Sequence, residues 1–245
     1  MNRLQLCQKL YGILRAGQLR VGVGPTATTA QEGFELETVN FIDAAYETIQ
    51  AEQPEWAFRV KQGTFPLVAA TRTYSRATIQ VTITDYDQWL PLNGHYSQPH
   101  VLIYLTSAGV ANSTPCFYVP YERWRGNFDV GTRASQKPGY FTERPDRTLE
   151  FDGTPDAAYT VVLDYRRTLH VMTTDSDATT GTPIIPAEHH NAIVYLAVMN
   201  YCDTREGTKE LYIKNERNYR REMLRLRTAQ LPEVLLRLDT YYNPA

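Results

Sequence analysis

Two consecutive helical patterns near the C-terminal end constrain the fold more than any other stretch of this sequence. The first, predicted over 186–203, begins at Pro186, which suits a first helical turn because its missing backbone N–H has no partner there. Its apolar side chains point in nearly every direction around the helix axis: Ile193, Val194, Leu196, Ala197 and Val198. A helix that is apolar all round is normally buried. The rest of the chain must therefore supply the elements that cover it.

The second pattern, predicted as a helix over 208–228, is long and charged, with a narrow apolar stripe. Between Arg205 and Arg227 the sequence has eight basic and four acidic residues. Mixed charge of this kind favours a helix that faces water or another subunit, and a DNA-contacting patch is the alternative. The pair of helices is expected to form a hairpin that packs on another part of the chain.

The beginning of the chain predicts the missing partners of this hairpin. Leu4, Cys7, Leu10 and Leu14 recur at helical spacing over 3–16, and a second apolar face runs over 32–52. Pro54 follows the second helix and ends it, because the residue before a proline avoids the helical region. We therefore expect residues 1–55 and 184–230 to form one helical bundle.

Charge is divided unevenly between these two front helices. Residues 1–30 contain four bases and no acid, whereas residues 31–58 contain seven acids and no base. Two interpretations remain open. The charges can be solvated helix faces that attract each other across an antiparallel pair, or one acidic face can be reserved for a function.

The middle of the chain, residues 56–183, has the patterns of β-strands. Alternating or short apolar runs predict strands in five places: Trp56–Val60, Ala77–Thr84, Val101–Leu105, Tyr159–Leu163 and Leu169–Met172. One helical turn is predicted at Tyr121–Arg125. The expected fold class is α+β, in which a mainly antiparallel β domain is inserted into the helical bundle. Residues 231–245 then form an extended C-terminal docking tail, too apolar for a solvated terminus.

Composition excludes several classes of protein. No run of 18 apolar residues is present, so no membrane span is expected, and the first residues lack the apolar core of a secretory signal. Three cysteines far apart in the sequence indicate reduced thiols. A net charge of −2 provides no general attraction to nucleic acid. The 17 tyrosines favour a protein that forms surfaces for partners.

The candidates for chemistry are weak, and each has a structural interpretation that we prefer. His189 and His190 are adjacent, so they point to different faces of a helix and cannot share a metal ion. Asp85 and Asp87 are favoured as turn residues over paired carboxylates. Residues 175–179 lack the glycine and glutamate of a calcium loop, and Gly22-Val23-Gly24 lacks the lysine of a phosphate loop. No catalytic residue, metal ligand or cofactor is predicted.

Four stretches together resemble a known family. They are LCQKLYGILR in the first helix, FIDAAYETIQAEQPEWAFRV, GYFTERPDRTLEFDGTPDAAYTVVLDYRRT, and IIPAEHHNAIVYLAVMNYCD followed by the long charged helix. The chain resembles the head–tail adaptor, or connector, proteins of tailed bacteriophages, in their larger version with a β insertion. The likeness covers nearly the whole chain and depends on loose motifs. The small-residue loop at 17–31 departs from it.

The resemblance implies a structural virion protein that is made in the host cytoplasm and is not an enzyme. Such adaptors form a ring, usually of twelve copies, beneath the portal protein; the ring extends the channel for double-stranded DNA and carries the tail or a nozzle or head-completion protein. The C-terminal segment would bind the portal through Leu235, Leu236, Leu238, Tyr241 and Tyr242. The expected channel or subunit-interface residues are Glu37, Asp43, Glu47, Arg217 and Arg221.

Two other functions are compatible with parts of the sequence. A virion module that binds glycans would present aromatic side chains of the β region, namely Tyr86, Trp89, Tyr96 and Trp124. A metal-dependent hydrolase would use Asp85 and Asp87 with His95 or His100. Receptor-binding proteins are usually mainly β with repeats or coiled coils, and this sequence has neither, so the adaptor is the preferred hypothesis.

Overall fold

The protein has a mixed α/β structure that divides into two compact units. The computed structural model describes residues 1–17, 24–90, 101–128, 134–175, 181–205 and 208–231. Within these ranges it has six α-helices and a curled mixed sheet of eight strands. Residues 1–59 with 169–245 form the first unit, and residues 60–168 form the second. The domain limits proposed from sequence, 56–183 for an insertion and 231–245 for a tail, stay predictions.

Two helices begin the chain and two end the described part, and the strands lie between them with two short helices. In chain order the elements are α1 (Arg3–Ala16), α2 (Gly33–Glu52), β1 (Val60–Leu67), β2 (Thr73–Tyr74), α3 (Arg76–Gln80), β3 (Tyr86–Trp89), β4 (Val101–Leu105), β5 (Thr114–Tyr118), α4 (Tyr121–Asn127), β6 (Tyr140–Glu143), β7 (Leu149–Phe151), β8 (Tyr159–Arg167), α5 (His190–Asp203) and α6 (Lys209–Gln230). The predicted helices over 3–16, 32–52 and 208–228 therefore lie within two residues of the observed ones. The predicted start at 186 is four residues early, because a single 3-10 turn at Ala187–His189 precedes α5.

Helix α5 is the centre of the first unit. Nine of its 14 residues are buried, and only Asp203 is fully exposed. Buried apolar side chains of α1, α2 and α6 complete the same core. Helix α1 begins with a capping box, in which the Asn2 and Gln5 side chains each accept a hydrogen bond from the backbone N–H of the other residue. That reciprocal pair satisfies two N–H groups that a helix start leaves unbonded.

Leu169–Met172, predicted to be a strand, is extended chain of the first unit and pairs with no described strand. The Gln50 side chain takes the place of a strand partner: its amide nitrogen donates to the His170 carbonyl at 3.0 Å, and its oxygen accepts from the His170 N–H at 2.9 Å. The Tyr46 hydroxyl contacts His170 Nδ1 at 2.9 Å. Met172 is buried in the helical core. The apolar pattern therefore reflects packing against α2 instead of sheet pairing.

The second unit is built on the sheet, whose strand order is β1-β8-β4-β5-β6-β7-β2, with β3 also paired to β8. All paired strands are antiparallel except β5 and β6, which are parallel, so the sheet is mixed. Strand β8 is the longest and pairs with three others, and it contributes buried residues to the core of this unit. The predictions of strands at Val101–Leu105 and Tyr159–Leu163 and of a helical turn at Tyr121–Arg125 are confirmed.

The predicted strand Ala77–Thr84 is wrong, because this stretch is the short helix α3 followed by turns. The Ser75 side chain accepts a hydrogen bond from the Thr78 N–H and so caps a helix start. Ile79 and Ile83, four residues apart, are buried, whereas Val81 is 83% exposed. A strand would have placed all three on one face. Similarly, Trp56–Val60 is mostly a 3-10 turn, and β1 begins only at Val60.

Gly63 in β1 allows two side chains of the second unit to pack directly over the strand. A Cβ atom built at this position would lie 2.8 Å from Ile83 Cδ1 and 2.9 Å from Tyr165 Cε1. Carbon atoms in contact are normally about 3.5–4.0 Å apart. A side chain at residue 63 therefore forces Ile83, Tyr165 or the strand to move.

We expect Gly63→Ala to lower the free energy of unfolding of the second unit by about 1–3 kcal/mol, the usual cost of overpacking a core. The measurement is chemical denaturation of the full chain. Gly126→Ala is the matched control, because Gly126 is exposed in α4 of the same unit and no atom lies within 4 Å of its added Cβ. Equal stability of the two variants would contradict the packing argument.

Candidate functional site

The adjacent histidines, His189 and His190, are packed inside the first unit. Both are buried, and His190 Nε2 donates to the Ile185 carbonyl at 2.8 Å. Burial lowers the pKa of His190 below its ordinary value, so the ring is neutral near pH 7. His189 Nδ1 lies 3.9 Å from a carboxylate oxygen of Glu222. Within the described residues no three His, Cys, Asp or Glu side chains are placed to hold a metal ion.

Asp85 and Asp87 are both paired with cationic side chains, and Asp85 also accepts a hydrogen bond from a hydroxyl group. Asp87 is contacted by three arginines at 2.9–3.3 Å: Arg76, Arg147 and Arg166. Asp85 accepts from the Tyr165 hydroxyl at 2.5 Å and from Arg167 Nε at 2.8 Å. Burial of Asp85 opposes ionisation, but these hydrogen bonds and that of Lys61 are stronger together and lower its pKa. The two aspartates are therefore ion-pair partners that fix β3 to β8 and are unsuited to bind a catalytic metal.

The arginine partners of Asp87 were not predictable from spacing, because they come from three separate segments. Arg147 lies in the turn between β6 and β7, where its N–H donates to the Arg144 carbonyl at 2.8 Å. Its φ of 62° is a left-handed value that usually favours glycine. The ion pair with Asp87 at 3.0 Å gives a physical reason for arginine at this position.

The other candidates for ligand binding are also accounted for or lie outside the described residues. Asp175 accepts from the Thr28 N–H at 2.8 Å, and so it connects two loops of the first unit. Tyr86, Trp89 and Trp124 are buried, which excludes the predicted stacking of a glycan on them. The remaining residues of these hypotheses lie outside the described part of the chain: Gly22, Val23, His95, Tyr96, His100, Asp177 and Thr179.

Most carboxylates of α2 are used within the first unit. Asp43 pairs with Arg3 of α1 at 2.5 Å, and Glu37 pairs with Arg205 at 3.1 Å. Glu52 pairs with Arg227 of α6. Glu47 is exposed. The opposite charges of α1 and α2 are thus partly paired within one molecule. Of the predicted acids Glu37, Asp43 and Glu47, Glu47 is the most available to a partner.

From Ile213 onward helix α6 separates its charges by face, whereas the acid Glu210 in its first turn is exposed. Between Ile213 and Thr228 the exposed positions are five bases, two aliphatic residues and one threonine: Ile213, Lys214, Arg217, Arg220, Arg221, Leu224, Arg225 and Thr228. Of the acids in this stretch, Glu216 lies beside this face and Glu222 is buried; they pair with Arg220 at 2.6 Å and Arg225 at 3.1 Å. The predicted residues Arg217 and Arg221 therefore lie together on a basic surface, which the mixed composition of the helix did not reveal.

Sequence reasoning missed the exposed apolar residues. Leu224 is 65% exposed and Ile213 is 44% exposed, both on the basic surface of α6. In the second unit Phe117 and Tyr140 are also exposed, with ring centroids 6.2 Å apart. The predicted portal-binding residues Leu235, Leu236, Leu238, Tyr241 and Tyr242 lie outside the described residues. The exposed apolar side chains on the described surface provide contact area for macromolecules.

The neutral state of His190 predicts a loss of stability at acidic pH. Its pKa is lowered in the folded protein, so the unfolded chain binds the proton more readily, and stability is lost as pH falls below about 6.5. The slope of the free energy of unfolding against pH should reach at most about 1.4 kcal/mol per pH unit. His190→Gln should remove this contribution, and His189→Gln, which leaves His190 in place, should retain it. An unchanged slope in His190→Gln would refute the assignment.

Comparison with known proteins gives one match. The family model described as SU10 adaptor protein matches residues 13–239, which is most of the chain. No curated protein matches the sequence. The match confirms the resemblance to phage head–tail adaptors that the sequence motifs indicated.

Proposed function

This chain belongs to the SU10 adaptor protein family, and from that membership we propose that it joins the head of a tailed bacteriophage to its tail. A phage adaptor is a structural component of the virion that contacts other head and tail proteins. The observation that carries the proposal is the family match over residues 13–239. Asp85, Asp87, His189 and His190 have partners within the fold, which agrees with a protein that acts through its surfaces.

In this proposal the protein forms a ring, with twelve copies as the expected number, beneath the portal. The ring extends the channel through which double-stranded DNA passes without sequence-specific binding, and it carries the tail or a nozzle or head-completion protein. The first unit is the helical bundle of the ring, and the second is the inserted β domain. Exposed charged faces on α2 and α6 support a role in assembly. None of the described helices qualifies as a membrane span.

The tail at 231–245 is proposed as the contact with the portal. This stretch is dense in apolar side chains, namely Leu235, Leu236, Leu238, Tyr241 and Tyr242. Fully burying one leucine contributes about 1.5–3 kcal/mol, so three leucines could dominate binding at such a site.

The test is binding of the purified full chain to the portal protein of the same phage, followed by single-particle electron microscopy. We expect a ring on the portal for the wild type and at least about tenfold weaker binding for the variant with Leu235, Leu236 and Leu238 changed to serine. The matched control changes Glu233 and Asp239 of the same tail to their amides and should bind as the wild type does. Failure of the wild type to bind the portal, together with its absence from purified virions, would reject the function.

A further inference from the structure

The exposed side chains of α6 form a basic surface that suits one kind of partner. This surface combines Arg217 and Arg221 with the exposed aliphatic side chains Ile213 and Leu224. Nucleic acid would contact the arginines, but exposed aliphatic residues gain most when a protein surface removes them from water. The expected occupant is therefore an acidic protein surface that can approach closely.

The exposed face of α2 has these properties. Most exposed residues of this face have small side chains, and the face also includes one leucine and one acid. The exposed residues are Gly33, Leu36, Asn40, Ala44, Glu47, Thr48 and Ala51. Half-exposed carboxylates of Asp43 and Glu37 flank it, and the whole stretch 31–58 has no base. Small side chains reduce the distance at which a second helix can pack. An acidic, shallow face is thus available on the same molecule that carries a basic, protruding one.

The two faces also agree in length and spacing. Asn40, Ala44, Glu47 and Ala51 follow one another at intervals of four, three and four residues, and so do Ile213, Arg217, Arg220 and Leu224. Each series spans three helical turns, about 16 Å at 1.5 Å per residue. Helices of this kind can pack along their lengths with the arginines beside the carboxylates.

The same molecule cannot close this contact on itself. Helices α2 and α6 both pack on α5, and Glu52 pairs with Arg227 near their C-terminal ends. The exposed faces are by definition the sides turned away from that shared core. A contact between them must therefore join different copies, head to tail, and a heterologous contact that closes gives a ring.

We propose that the exposed face of α6 in one copy binds the exposed face of α2 in the next, and that this contact builds the ring. The inference rests on the proposed adaptor function and names the partner of the surface that carries Arg217 and Arg221. Because charge contributes to the contact, self-association weakens as salt is added.

The test uses sedimentation velocity on two variants of the full chain in which the charge of one face is changed. Variant one is Arg217→Glu with Arg221→Glu, and variant two is Asn40→Arg with Glu47→Arg; none of these four residues forms an ion pair found in the described structure. Each variant alone places like charges at every contact, so self-association should weaken at least about tenfold. An equimolar mixture should recover it, because alternating copies restore opposite charges at every contact.

The control Arg123→Glu with Arg125→Glu makes the same change of net charge as variant one, but on exposed positions of α4, and should associate as the wild type does. Recovery in the mixture also shows that both variants are folded. Variants that associate as well as the wild type, or a wild type that stays monomeric, overturn this inference, and so does loss of DNA binding as the only effect of variant one. The adaptor function is judged separately, by the presence of the chain in purified virions and its binding to the portal.

Discussion

Burial of α5 is the constraint on which the first unit depends. Nine of the 14 residues of this helix are buried, so three other helices must supply apolar surface from distant parts of the sequence. Met172 and Ile185 join the same core from the chain that returns from the sheet. At about 25 cal/mol per Å² of apolar surface, this burial is the largest stabilising contribution available to the unit. The chain ends that frame the β region are thereby held in one core.

Ion pairs contribute to the specificity of the fold more than to its stability. Removing charges from water is costly, and buried charges are therefore paired. Asp87 is surrounded by three arginines from separate segments, and fully buried Glu150 lies between Arg72 and Arg144. Such pairs add little net stability, but they strongly penalise arrangements in which one partner is left alone. They select the register of β3 on β8 and the position of the turn between β6 and β7.

The helices were predictable because local and tertiary signals agree there. Asn2 caps α1, Pro54 follows α2, and the apolar spacing of each matches the side that is buried. At 77–84 these signals conflict: alternation favours a strand, but the Ser75 cap and the burial of Ile79 with Ile83 select a helix. The partners of Asp87 and the segregation of charge on α6 depend on contacts between distant residues, so no local pattern could reveal them. The family, in contrast, was accessible because its motifs extend over the whole chain.

The distribution of charge on α2 shows how one helix can serve both folding and assembly. Its acids Glu37, Asp43 and Glu52 have partners inside the first unit, which leaves Glu47 as the exposed acid on a face of small residues. On α6, by contrast, five bases face water between Ile213 and Thr228, and neither acid of that stretch is on the exposed face. Surface ion pairs contribute only about 0–1 kcal/mol each, so folding alone gives little reason to collect bases on one exposed face. Complementary faces that point away from a shared core are what head-to-tail association requires. The surplus of charge is therefore better explained by a contact between molecules than by the stability of one.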